Sequence, residues 1–217
     1  MIQVLIADDH HLVRQGIRAL LERQPEILVT GEAENGQQAF DLILSSNPDV
    51  ALVDINMPFL NGIEVTRRVK EAELSTQVLI LSMYSDESLV KKALRNGARG
   101  YLLKKSIFDD LIEAVRTISR RNTYLSPELR GLKLEVVMDP YGESESEDIF
   151  DRLTNREREV CQLITQGFTN AAIANHLDIS VKTVEKHRAN LMTKLGFQDI
   201  ASLIRESIRH GETFLDT

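Results

Sequence analysis

Val50-Ala51-Leu52-Val53-Asp54-Ile55-Asn56-Met57-Pro58 is a short apolar run that delivers one aspartate and then breaks at a proline. Such a run, without polar alternation, is the pattern of a strand buried on both faces of a parallel sheet. Asp54 is therefore expected at the carboxyl end of a strand, at an edge and not in a core. Open α/β sheets bind their ligands outside that end, so an acid placed there is positioned for chemistry or for a metal. An ordinary polar residue closing a strand gives the same local pattern, and the rest of the chain has to separate the two.

The chain opens Ile2-Gln-Val-Leu-Ile-Ala7 and closes that run on Asp8-Asp9. A parallel sheet brings both to the edge that holds Asp54. Three carboxylates in one pocket repel each other and are driven to protonate unless a cation holds them, and hard oxygen ligands suit Mg²⁺. A magnesium site is the simplest remedy. Standing alone, Asp8 and Asp9 read as caps of the following helix.

Composition narrows the classes. The 217 residues suffice for two modest domains, each with its own core. No stretch approaches a membrane span, and no basic region precedes an apolar run at the start, so a soluble, cytoplasmic protein with no membrane partner is expected. The single Cys161 excludes an internal disulfide, and its helical setting reads as a buried thiol. The five histidines show no metal-binding spacing, since His10 and His11 are adjacent and His176, His187 and His210 are scattered. A net charge of -7 argues against indiscriminate binding to nucleic acid. Residues 1–122 carry 15 basic and 17 acidic side chains, 123–150 carry 2 and 7, and 151–217 carry 9 and 9. The acid excess lies mostly in the middle.

Working outward, apolar runs at 2–7, 27–33, 50–53, 77–81 and 100–103 alternate with amphipathic segments at 11–23, 35–46, 62–73, 86–96 and 106–120. That is a flavodoxin-like, doubly wound five-strand parallel sheet of order 2-1-3-4-5, which sets strands one and three side by side. Strand four ends Leu79-Ile-Leu81-Ser82-Met83 and strand five ends Gly100-Tyr101-Leu-Leu-Lys104. Taken singly, Ser82 is a strand-end hydrogen bonder and Lys104 a solvated charge. Arriving together beside Asp54, a hydroxyl, an ammonium and a metal form a receptor for a tetrahedral dianion, and Asp54 reads as a phosphoryl acceptor.

The stretches Ile6-Ala-Asp8-Asp9-His10, Val53-Asp54-Ile-Asn56-Met57-Pro58, Leu81-Ser82-Met83 and Gly100-Tyr101-Leu-Leu-Lys104 resemble the receiver domain of two-component response regulators over residues 1–122. The resemblance implies phosphotransfer to Asp54 from a sensor histidine kinase, with Asp9 and the backbone carbonyl of Asn56 on Mg²⁺ and Asp8 assisting. It also implies that Ser82 and Lys104 contact the phosphoryl group and that Tyr101 is the aromatic that changes burial on activation.

Residues 123–150 are acidic and lack periodicity, which predicts a flexible linker in which Leu132, Leu134, Val136 and Val137 dock locally. From 151 to 217 a helical period returns, predicting a four-helix, all-α domain. Leu153-Thr154-Asn-Arg-Glu157 is a capping box, Thr169 caps a second helix, and a third runs from Val181 to Leu195 after Asp178-Ile-Ser180. This is a helix-turn-helix layout. The third helix carries Lys182, Lys186, Arg188 and Lys194 against Glu185, a run that by itself is usually a solvated face.

Leu153–Glu159, Thr169–Ala174 and Ser180–Asn190 resemble LuxR-type DNA-binding domains, so the whole chain looks like a NarL/FixJ-type response regulator. That resemblance implies a recognition helix in the major groove of double-stranded promoter DNA, with Lys182, Thr183, Lys186, His187 and Arg188 among the contacts, and a homodimer once phosphorylated. Two rivals stand beside it. A regulator that binds DNA without phosphate control keeps the same second domain. An aspartyl-phosphate phosphohydrolase needs a second aspartate two positions after the nucleophile, where this chain has Asn56, so no enzyme is expected.

Overall fold

The structure is a computed structural model that describes residues 1–131 and 148–213. The chain divides into two compact units, Met1–Gly142 and Glu143–Thr217.

In the first unit, strands β1 (Ile2–Ala7), β2 (Ile27–Ala33), β3 (Val50–Asp54), β4 (Gln77–Ser82) and β5 (Gly100–Leu103) alternate with helices α1 (His11–Leu21), α2 (Gly36–Ser46), α3 (Gly62–Glu71), α4 (Glu87–Arg95) and α5 (Ile107–Ser119). Continuous apolar runs and amphipathic runs at period 3.6 thus become the strands and helices that their patterns predict. Every strand pair is parallel, in the order β2-β1-β3-β4-β5, with a short sixth strand, β6 (Tyr124–Leu125), beyond β5. All five residues of β3 are buried, because helices cover both faces of the sheet. Val4, Ile6, Leu52, Leu79, Leu81 and Leu102 face one way from the sheet and pack against Ile17 and Leu21 of α1 and Leu111, Val115 and Ile118 of α5.

One element departs from expectation. The sixth strand, β6, pairs with β5 in register Gly100↔Tyr124 and Tyr101↔Leu125, and a 3-10 turn at Pro127–Leu129 follows it. The segment expected to open the linker at 123 is instead built onto the sheet. Two residues give no periodicity to read, and the buried Tyr124, Leu125 and Leu129 are spaced too irregularly to mark a strand or helix. The expected docking of Leu132, Leu134, Val136 and Val137 lies outside the described residues.

In the second unit, a 3-10 turn at Ile149–Arg152 leads into helices α6 (Asn155–Thr165), α7 (Asn170–His176), α8 (Val181–Leu195) and α9 (Ile200–Arg209). Each start is set by its cap. Thr154 and Glu157 form the reciprocal capping box of α6, and Thr169, Ser180 and Asp199 accept main-chain N–H groups at the starts of α7, α8 and α9. Val160, Leu163, Ile173, Val184, Leu191 and Leu203 make the core of this unit, each no more than 1% exposed. Burying a Leu or Val side chain contributes about 1.5–3 kcal/mol, which these short helices need because helices of such length are marginal alone.

Candidate functional site

Register assembles the first site. Ala7 pairs with Val53, so Asp8 and Asp54 each stand one residue later at the same level. Asp54 pairs with Leu81, and Ser82 pairs with Leu103, which brings Ser82 and Lys104 to that level from the other side. The Lys104 ammonium closes the ring, its Nζ lying 2.8 Å from Asp8 Oδ2 and 2.9 Å from Asp54 Oδ2.

Asp54 differs from the sequence expectation in its exposure. It stands at the carboxyl end of β3, as read, yet is only 3% exposed, and Asp8 and Ser82 are fully buried. β3 is central, and the loops around it close over its end. Gly62, the first residue of α3, lies so close that a Cβ there would sit 2.4 Å from the Asp54 carbonyl oxygen. In the loop between them Phe59 takes φ 69, a left-handed conformation uncommon for a bulky residue.

Burial pushes the Asp54 carboxyl up to about 7; Lys104 opposes this and the charges of Asp8 and Asp9 add to it. The Lys104 ammonium is likewise desolvated, but Asp54 and Asp8 outweigh that and hold its pKa above the ordinary lysine value. One ammonium therefore shares a pocket with three carboxylates, which leaves negative charge for a cation to balance.

Ligand atoms of Asp8, Asp9, His10 and Asp54 lie within 4.8 Å of one another. His10, which its spacing had set aside, joins the group because it directly follows the two aspartates. Its Nδ1 is 2.7 Å from Asp9 Oδ1, a buried oxygen that accepts no hydrogen bond. Oxygen donors in this number suit a hard divalent cation. Asn56 lies two residues beyond β3 and is half-buried. Neither aspartate caps α1 as the alternative reading had it; the N-cap is His10, whose main-chain N–H donates to Asp8 Oδ1 at 2.8 Å.

Three residues around the site were not singled out by the sequence. Arg14, 3% exposed, donates to the Asp8 carbonyl oxygen at 2.8 Å while meeting Glu32 and Glu34, and so braces the loop that carries the acids. The carbonyl oxygen of Tyr84 accepts from the Tyr101 hydroxyl at 2.9 Å, and its N–H donates to Ser82 Oγ at 3.0 Å. Ser126 Oγ accepts the Leu103 N–H at 2.9 Å. The polar spacing of Arg14 on a helix gave a weak signal; Tyr84 acts through its backbone and gave none. Tyr101 is fully buried, and burial raises its phenol well above the ordinary value.

The second site is the surface of α8. Val184 and Leu191 turn inward, which leaves Lys182, Glu185, Lys186, Ala189 and Asn190 exposed on the opposite side. Thr183 and His187 are half-buried, and the Thr183 hydroxyl lies 2.8 Å from that of the capping Ser180. Arg188 leans toward α7, its guanidinium 3.4 Å from Asn170 Oδ1. Lys194 belongs elsewhere: its Nζ is 2.6 Å from Glu157 Oε2, tying the last turn of α8 to the cap of α6. Only part of the basic run thus shares one exposed face.

Among the described residues no helix is long and apolar enough to cross a membrane. Residues 4–116 match the response regulator receiver domain, and residues 151–207 match the bacterial regulatory proteins of the luxR family. The transcriptional regulatory protein DegU of Brevibacillus brevis is 38% identical, the alignment covering 97% of this chain and 94% of that protein. The response regulator ChrA of a heme-sensing two-component system is 32% identical with a TM-score of 0.52, covering 97% of this chain and 98% of that one. The response regulator RcsB in a DNA complex is 27% identical with a TM-score of 0.57, covering 94% of this chain and 96% of the other. With an acidic cluster at one sheet edge and a capped helix-turn-helix after it, this chain belongs to the NarL/FixJ-type response regulators, transcription factors that join a receiver domain to a LuxR-type DNA-binding domain.

Proposed function

We propose that Asp54 accepts a phosphoryl group from the phosphohistidine of a sensor kinase and that this gates DNA binding by α8. An Asp54 carboxylate oxygen attacks phosphorus, the P–N bond breaks, and the imidazole leaves with the bonding pair as an acyl phosphate forms. Asp8, Asp9, Asp54 and the Asn56 carbonyl are the residues that would hold Mg²⁺, which when bound supplies positive charge that favours ionised Asp54 and offsets charge on the transferred oxygens. Lys104 is held for the same purpose from the other side, and Ser82 offers a hydroxyl at the same level. The observation that carries the reading is the joint arrival of Asp8, Asp54, Ser82 and Lys104 at one level of the sheet.

Phosphorylation of Asp54 draws Ser82 and the Tyr84 carbonyl to which Tyr101 is bonded, and so shifts a pre-existing equilibrium of this face toward a dimer-competent state. Moving a population from 1:99 to 99:1 takes about 5.5 kcal/mol, to which dimerisation on paired half-sites contributes. On α8, Lys182 and Lys186 face outward for phosphates and base edges, with Thr183, His187 and Arg188 beside them. The receiver of residues 1–122 extends through β6 to the Pro127–Leu129 turn, the DNA-binding domain is 151–217, and the compartment is the cytoplasm.

The test is electrophoretic titration of promoter fragments with the full chain, with and without beryllofluoride and Mg²⁺, beside Asp54→Asn. Tightening of at least tenfold that requires Asp54 is expected. Equal affinity in all four arms overturns the gate and leaves a regulator that binds DNA without phosphate control.

A further inference from the structure

We propose that Ser126 is a positioning residue for Lys104, so that the segment after α5, read from sequence as linker, forms part of the phosphoryl-accepting machinery. The proposal rests on the reading of Asp54 as acceptor and deepens it.

β5 is the last long strand of the sheet, and Lys104 follows it immediately. Besides the β5–β6 pairing itself, three hydrogen bonds fasten its outer side to the chain beyond α5. The Tyr124 N–H donates to the Arg99 carbonyl and the Ser126 N–H to the Tyr101 carbonyl, each at 3.1 Å. The third is different in kind: the Leu103 N–H is accepted at 2.9 Å by the side-chain oxygen of Ser126. A hydroxyl completes the ladder at its end, where Ser126 begins the turn that Pro127 and Leu129 continue. Ser126 is fully buried, so removing its hydroxyl takes away the partner that the protein supplies to the Leu103 N–H. Gly100 makes the approach possible, since a Cβ there would lie 3.0 Å from the Tyr124 carbonyl oxygen and 2.6 Å from Leu79 Cδ1.

The bond matters because of its address. Leu103 precedes Lys104, and the Lys104 Nζ must meet Asp8 and Asp54 at once. Freeing the Leu103 amide frees the pivot from which that side chain reaches into the pocket. Across the same gap, Glu128 lies 3.2 Å from Lys105 Nζ and 3.5 Å from Ser106 Oγ, a second tie between the turn that opens with Lys104 and the turn that follows Ser126. By reciprocity, whatever moves Lys104 loads the anchorage of the chain that leads to the second unit.

The test is a double-mutant cycle on the full chain, read as the initial rate of Mg²⁺-dependent labelling by radiolabelled acetyl phosphate. Ser126→Ala is expected to slow labelling roughly tenfold when Lys104 is present, a small misplacement of a charge-stabilising group, and by less than about twofold in a Lys104→Ala background. Hydrogen exchange at the Leu103 amide should quicken in the same variant. An equal factor in both backgrounds would show general loosening and overturn the proposal, as would no effect in either. Should Ser126→Ala fail to fold, Ser126→Cys, with a weaker acceptor of similar size, enters the same cycle. Asp54→Asn separates the two readings: labelling that survives it sinks the acceptor assignment, whereas Asp54-dependent labelling insensitive to Ser126 sinks only this one.

Discussion

Asp54 and Lys186 are both charged groups that the chain offers to a partner, yet it treats them in opposite ways. Asp54 is 3% exposed and surrounded by Asp8 and Lys104, with a backbone register that leaves it little freedom. Lys186 stands exposed on a helix whose other face makes the core. The difference follows from the ligand. A phosphoryl group is small, so its receptor must be preorganised in a desolvated pocket. A DNA backbone is a line of charge, and long solvated side chains reach it by releasing counterions. Disturbing the packing that closes the first site should therefore cost stability as well as chemistry, and removing an exposed charge from the second should cost binding alone.

The largest effect should come from the packing on which the exposed face depends. Leu191 is fully buried, and Leu191→Ala is expected to destabilise the helical unit by about 2–5 kcal/mol. Loss of helical ellipticity with Asp54 labelling retained would show it. A loss of labelling as well would break the contrast between the two regions.

Gly62→Ala comes next. Its Cβ would meet the Asp54 carbonyl oxygen at 2.4 Å, and backbone cannot yield as a side-chain tip does. About 1–3 kcal/mol of destabilisation, with slower acetyl-phosphate labelling, is expected from denaturant melts and labelling rates on one preparation. Unchanged labelling would mean that the tight loop serves packing only.

Glu157 sharpens the contrast within the helical unit, as a charge used inward. Burial pushes its carboxyl up, but Lys194 and the Thr154 N–H and hydroxyl outweigh this and hold it below the usual value of 4.5. A depressed folded pKa gives stability that is present above 4.5 and is lost as pH falls through the folded value. Glu157→Gln should cost about 1–2 kcal/mol at neutral pH, with the gap to the unaltered chain closing as pH falls below 4.5 and through the depressed folded value. A gap independent of pH would assign the cap to shape alone.

The smallest effect on stability belongs to Lys182→Ala, within about 0.5 kcal/mol, because the side chain is exposed. The slope of log affinity against log salt should nevertheless fall by about 0.9 for each phosphate that the ammonium no longer neutralises. An unchanged slope would remove Lys182 from the DNA face.

Strand ends carried most of what the sequence allowed. Asp8, Asp54, Ser82 and Lys104 each close an apolar run, so parallel pairing alone predicted their meeting. Helix caps were equally local, and Thr154 and Thr169 cap the helices their spacing assigned them, while Ser180, read only as part of a turn, caps α8 as well. Interactions made through the backbone or across long separations stayed hidden. The Tyr84 carbonyl has no letter of its own, Arg14 reaches Glu32 and Glu34 18 and 20 residues along the chain, and Ser126 lies within a composition that resembles linker. Arg188 and Lys194 shared one charged run, and only packing shows that they turn to different neighbours.

The two-residue strand β6 bears on how this protein can be cut. A fragment ending at Asn122, where periodicity stops, would lose the groups that satisfy one side of β5 and present bare N–H and C=O groups to any passing chain. Self-association of that fragment, against a monodisperse one ending at Gly131, would make Tyr124–Leu125 the guard of an otherwise adhesive border.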